Sequence, residues 1–159
     1  MENNNDTIFA LSTSASKSAL ALIRVSGPKS YEYVEKISNN MPKKPNLATF
    51  NEVMSPNGEA IDQTITTFFK SPKSFTGEDM VEISVHGGGA VIKKLISILK
   101  KNQNARLAKP GEFTRRAFEN NKLDLTQVEG IADIVNAETE MQRKQAISQL
   151  SGHFFKKTK

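Results

Sequence analysis

The sequence predicts an α+β fold, with strands and short helices through about residue 120 and an all-α segment after it. Three observations carry this. An Asn-Gly pair separates two β-rich runs. Met80 to Val85 alternates Val81, Ile83 and Val85 against Met80, Glu82 and Ser84 and leads into a helical apolar stripe, and every strand signal ends at Leu123.

In order, Thr7 to Leu11 and Ala19 to Val25 are strand-length apolar segments divided by a Ser-rich loop, Ser12 to Ser18. Ser26-Gly27-Pro28 stops the second and opens a short helix over Lys29 to Ile37. Pro42-Lys43-Lys44-Pro45 is a loop. Ala48 to Met54 and Ile61 to Phe69 flank Pro56-Asn57-Gly58, a hairpin signal because Asn and Gly both tolerate positive φ. In Met80 to Val85 the residues Val81, Ile83 and Val85 share one face, and Glu82 looks the other way. The next helix carries apolar residues at 91, 92, 95, 96 and 99, with Lys93, Lys94, Lys100 and Lys101 on its solvated side. A strand near Arg106 to Ala108 is stopped by Lys109-Pro110-Gly111, and Thr114 to Asn120 forms a short helix with Thr114 as N-cap.

Beyond it, Leu125, Val128, Ile131, Ala132 and Val135 recur at helical spacing, with Asp124 as cap. A second helix runs from Thr139 past Leu150, where Ser151-Gly152 can end it, leaving Phe154 and Phe155 in the tail with little to pack on. Two such helices cannot enclose a core alone, so they must pack on the first unit, on a second chain or on further sequence.

Composition narrows the function. Cysteine is absent from the 159 residues, which excludes disulfides, zinc fingers, iron–sulfur ligation and thiol nucleophiles, and the two His form no metal-ligand cluster. The polar N-terminus lacks a secretory pattern, and no apolar run reaches the ~20 residues of a membrane span, so a soluble, cytoplasmic protein is expected. The net charge of +5 hides an alternation: −2 over residues 1 to 92, +7 over 93 to 122, −5 over 123 to 140 and +5 thereafter. The +7 segment could meet a polyanion, or be a solvated helix face.

Several residues could carry chemistry. Arg24, near the end of an apolar strand, needs a partner, either a carboxylate such as Glu82 or Glu78 or an anionic ligand. Glu82 could accept paired N–H donors from a ligand ring, or simply face solvent. His86-Gly87-Gly88-Gly89 lies where a strand passes into a helix, but it matches neither a P-loop nor a dinucleotide fingerprint, and a tight turn explains it. The loops Phe75-Thr76-Gly77-Glu78-Asp79 and Lys109 to Phe118 are richer in functional residue types than loops need, although Gly77 and Gly111 suit turns and Phe113 and Phe118 suit a core.

Together, Leu22-Ile23-Arg24-Val25-Ser26-Gly27, Ser74-Phe75-Thr76-Gly77-Glu78-Asp79, Glu82 with His86-Gly87-Gly88, Pro110-Gly111-Glu112-Phe113-Thr114 and Asn121-Lys122-Leu123-Asp124-Leu125 resemble the N-terminal part of the MnmE (TrmE) family of tRNA-modification GTPases. The resemblance implies a mixed-sheet folate-binding domain, similar to that of aminomethyltransferases, that also dimerises over residues 1 to 120. The start of a helical domain would occupy residues 121 to 159. It implies folate contacts at Arg24, Glu82 and Lys122, no catalytic residue of the chain's own, and 5-formyltetrahydrofolate or another one-carbon tetrahydrofolate as ligand. It further implies a homodimer, a flavin-dependent partner, MnmG, and tRNA as substrate of the complex, modified at C5 of the wobble uridine. The P-loop and the C-terminal cysteine of the family are missing from these residues. GTP hydrolysis, with Mg and K, is therefore expected only from a GTPase domain outside a fragment of this length. The Ser14-Ala15-Ser16-Lys17-Ser18-Ala19 loop departs from the Gly- and Pro-rich loop of many relatives. A free-standing one-carbon transferase would need an acid or base among Glu78, Asp79, Glu82 and His86, and an RNA-binding module would use the basic segments.

Overall fold

A computed structural model of the chain describes residues 5–151. The expected break at Gly152 and the aromatic tail lie outside the described residues. In chain order the elements are β1 (Thr7–Leu11), β2 (Ser18–Ser26), α1 (Ser30–Glu35), β3 (Thr49–Met54), β4 (Ala60–Phe69) and β5 (Met80–Gly87). They continue with α2 (Gly89–Leu99), β6 (Ala105–Leu107), α3 (Glu112–Glu119), α4 (Leu125–Asn136) and α5 (Glu140–Leu150).

The strands form one six-stranded sheet in the order β3-β4-β5-β2-β1-β6. Its neighbours are antiparallel except for β6, which runs parallel to β1, so the sheet is mixed and the fold α+β. Strand alternation decides the two faces. Ala21, Ile23 and Val25 of β2 and Val81, Ile83 and Val85 of β5 point to one side, where Val34, Ile37, Leu95, Ile98 and Leu99 cover them. At roughly 25 cal/mol per Å² of apolar surface removed from water, this layer is the main stabilising contact of the fold. The opposite face carries Arg24 and Glu82, and it leaves Leu20, Phe50 and Ile65 exposed.

Four local expectations need correction. The β3–β4 hairpin forms, but only Gly58 has positive φ (85°), and Asn57 serves through its side chain, which accepts from the Glu59 N–H at 3.3 Å. α1 stops at Glu35, because Ser38 turns its hydroxyl back to the Val34 carbonyl and pairs with Val53 of β3. α3 starts two residues before Thr114, with Gly111 as its N-cap in the left-handed region, so Thr114 is not the cap. The His86-Gly87-Gly88-Gly89 run is not a tight turn. It continues β5 into α2, and a Cβ on Gly87 would stand 2.3 Å from the Ser18 carbonyl oxygen of β2.

Asp124 caps α4 as expected, in a reciprocal capping box with Gln127, and Thr139 and Gln142 repeat the device at α5. These two helices pack on each other around Gly130, and α4 also touches α3. Leu125, Val135 and Met141 remain largely exposed.

Candidate functional site

Register brings the expected pair together: Arg24 of β2 stands opposite Glu82 of β5 and, on its other side, opposite Ala10 of β1. Both Nε and Nη2 of Arg24 donate to Glu82 Oε1, at 3.1 and 2.9 Å. Of the two carboxylates proposed from sequence as partners, Glu82 is therefore the one used. Among the described residues Oε2 of Glu82 accepts no hydrogen bond, so half of the carboxylate keeps its acceptor capacity. The guanidinium carbon of Arg24 lies 5.0 Å from the ring centre of Phe75 and 5.4 Å from that of Phe113. Two cation–π contacts of roughly 0.5–2 kcal/mol each hold the cation in place.

This cation lies in the wall of a groove of about 600 Å³ bounded by Ala10 and Leu11, Phe75, Pro110, Phe113 and, from α4, Ile131. Phe75 comes from the loop before β5 and Phe113 from the first turn of α3. Phe113 is only half-buried and Phe118 is exposed, so neither belongs to the core as expected. The available signal was the placement of Phe75 in a loop, where burial does not require it.

A buried ion network fixes both loops. Arg116, 4% exposed, donates through Nη1 to Glu78 Oε1 and Oε2 at 3.0 and 3.1 Å and through Nη2 to Asp6. Glu78 also accepts from the Ser26 hydroxyl at 2.7 Å, which ties the Phe75 loop to the end of β2. Glu112 receives Arg106 through both oxygens and the Lys109 N–H at 2.8 Å, which sets the loop before Phe113. The hydrogen bond from Arg106 is the main cause that holds the Glu112 carboxyl down to about 2, against the opposing effect of its burial.

The other candidates are engaged elsewhere. Lys122 does not line the groove. The stem of its side chain lies behind the Phe75 loop, its Cγ 3.2 Å from where a Cβ on Gly77 would be, and among the described residues no carboxylate pairs with it. Asp79 accepts from the Ser71 N–H at 2.9 Å and pairs with Lys70 at 3.1 Å. His86 is exposed and hydrogen-bonded through Nδ1 to Asp62 at 2.8 Å. Of Glu78, Asp79, Glu82 and His86 none lines the groove itself, and Glu82 alone adjoins it, through its pair with Arg24. Among the described residues no group of three or more His, Cys, Asp or Glu could hold a metal ion, and no helix is long and apolar enough to cross a membrane.

The arrangement is thus a half-open groove walled by a fixed planar cation and two aromatic rings, with a carboxylate paired to the cation that keeps one oxygen spare: a place for a flat, polar-edged organic molecule.

Comparison with known proteins agrees with the sequence motifs. Residues 7–122 match the family described as GTP-binding protein TrmE N-terminus. The chain is 52% identical over 147 residues to a tRNA modification GTPase MnmE of Caulobacter vibrioides, covering 92% of this chain and 32% of that protein. It is 48% identical over 156 residues to the protein of the same name from Wolbachia sp. subsp. Brugia malayi, covering 98% and 35%. To that of Rickettsia typhi it is 48% identical over 148 residues, covering 92% and 33%. The chain spans about a third of the length of these relatives.

Proposed function

Because this chain belongs to the TrmE N-terminal family, we propose that it binds a one-carbon tetrahydrofolate, of which 5-formyltetrahydrofolate is the simplest probe, in the groove over Arg24. It does so as the dimerising N-terminal module of a tRNA-modification GTPase. The observation that carries the reading is the Arg24–Glu82 pair beside the two Phe rings.

The residues present fit such a ligand. A volume of about 600 Å³ lies in the range of sites for drug-sized molecules. The rings of Phe75 and Phe113 suit a flat heterocycle, the spare Oε2 of Glu82 suits its N–H donors, and Arg24 suits its carbonyl or carboxylate groups. Lys122, without an ion-pair partner among the described residues, stands outside the groove against Gly77 and would meet only a part of the ligand that reaches past the Phe75 loop. When bound, the folate would supply a one-carbon unit. The chain's own part is to bind and orient it and to hold the loops on either side of it. The fold of the folate domain would then be that of the aminomethyltransferases, over residues 1 to 120, with 121 to 159 opening the helical domain.

In the whole protein this module would serve, with MnmG, the installation of an aminomethyl-type group at C5 of the wobble uridine of tRNA in the cytoplasm. GTP, Mg and K would act through a P-loop domain, for which no pattern occurs in these residues. A second copy of the chain would dock on the open sheet face around Leu20, Phe50 and Ile65.

Calorimetric titration with 5-formyltetrahydrofolate tests the groove. Saturable binding near one ligand per chain is expected. Arg24→Ala and Glu82→Ala should each weaken it at least tenfold, as befits loss of a charge-assisted contact worth about 1.5–3 kcal/mol, and Lys122→Ala less. Unchanged affinity in the Arg24 and Glu82 variants would sink the assignment.

A further inference from the structure

Helix α2 carries a charge pattern found on no other element with basic residues. From Ile83 to Gly111 there are 29 residues without a single Asp or Glu, and six Lys or Arg among them. Arg106 is taken up by Asp6 and Glu112, and Lys109 lies in the groove loop. The remaining four, Lys93, Lys94, Lys100 and Lys101, are all exposed on the outer side of α2 and its end, opposite the buried Leu95, Ile98 and Leu99. Among the described residues no carboxylate pairs with any of them.

A face that merely keeps a protein in solution mixes signs. The other helices with basic side chains at their surface do so: Glu32 lies between Lys29 and Lys36 at α1, Arg115 pairs with Glu119 in α3, and Arg143 with Glu140 in α5. On α2 the cations stand in two neighbouring pairs seven residues apart, or two helical turns and about 10.5 Å along the axis. Their mutual repulsion within roughly one Debye length is left uncompensated. A row of phosphates is the partner that turns this cost into attraction, through release of its condensed counterions.

We propose that the outer face of α2 is a docking ridge for the phosphate backbone of RNA. The choice of RNA over another polyanion rests on the function proposed above; the ridge itself does not. α2 covers the sheet face of Val81, Ile83 and Val85, whereas Arg24 and Glu82 look out of the opposite face. Ridge and groove therefore lie on opposite sides of the sheet, and RNA can bind without entering the groove.

The test is fluorescence anisotropy of a labelled tRNA transcript with the 159-residue chain across a salt series. A quadruple variant, Lys93→Gln, Lys94→Gln, Lys100→Gln and Lys101→Gln, is compared with a control in which Lys17, Lys43, Lys44 and Lys73, exposed and unpaired among the described residues, become Gln. Each set removes four charges from +5 and leaves +1. The ridge variant should bind at least tenfold more weakly near ~0.1 M salt, and its log–log salt slope should fall by about 3, at 0.7–0.9 per phosphate contact. The control should stay close to wild type. Equal losses in both variants, or no tRNA binding by wild type, would overturn the proposal. The folate titration reads the groove separately: its failure with the ridge effect intact would remove the folate and leave the ridge.

Discussion

At the scale of single residues, the carboxylates that matter are those this fold immobilises. Glu112 is the clearest. Its carboxyl is held near 2 by Arg106 and the Lys109 N–H, whereas in an unfolded chain it would titrate near the ordinary value of 4.5. A group whose folded pKa is depressed stabilises the native state above its unfolded pKa, and that stability is lost as the pH falls towards the folded value. The window here runs from about pH 4.5 down to about 2, and the contribution at stake is on the order of 3 kcal/mol. Wild type should therefore lose its advantage over Glu112→Gln across that window, in thermal melts taken pH unit by pH unit. Parallel melting curves for the two proteins would show that the network does not store this energy. Little of it was legible in the sequence. Arg106, Glu112 and Arg116 look like ordinary surface charges on a short strand and a short helix, and nothing local reveals that Asp6, a hundred residues away in the chain, completes their set.

At the scale of elements, legibility followed the range of the interactions. β1, β5, α2 and the β3–β4 hairpin were readable because periods of 2 and 3.6 and an Asn-Gly turn are written in consecutive residues. The start of α3 was not. Thr114 satisfies the general N-cap preference, yet Gly111, free to take φ 73°, turns the chain three residues earlier, where Glu112 can reach Arg106. The glycine run that begins at the last residue of β5 escapes a local reading for a similar reason. Its first member is required by a neighbouring strand rather than by its own φ. Gly87→Ala should thus cost roughly 1–3 kcal/mol or more of stability in urea unfolding, because the new methyl must displace the Ser18 carbonyl of β2. Gly88→Ala, with nothing within 4 Å of its Cβ, should stay within about 0.5 kcal/mol of wild type. Equal costs at the two positions would contradict the close approach of β5 to β2.

At the scale of the whole molecule, the sheet is covered on one face only. The groove that α3 and α4 add to the other face draws on residues 10, 24, 75, 113 and 131. No sequence pattern links these positions: resemblance alone pointed to Arg24, Phe113 read as a core residue, and Phe75 stood out only as a loop residue. The same open face leaves Leu20 at 64%, Phe50 at 58% and Ile65 at 44% exposure; Phe50 and Ile65 stand directly opposite each other on β3 and β4, and Leu20 lies beyond β5, opposite His86. Water contact with three large apolar side chains is a standing cost that a two-fold partner would remove, since a patch that meets its own copy must be self-complementary and an apolar one is. Phe50→Lys with Ile65→Lys should then convert the proposed dimer to a monomer in sedimentation equilibrium, with little loss of fold, because both side chains already face solvent in one chain. A dimer that persists in this variant would move the interface elsewhere, to the exposed Val135 and Met141 of the helical pair. Folate titration of the resulting monomer would then show whether one chain's Arg24 and Glu82 suffice.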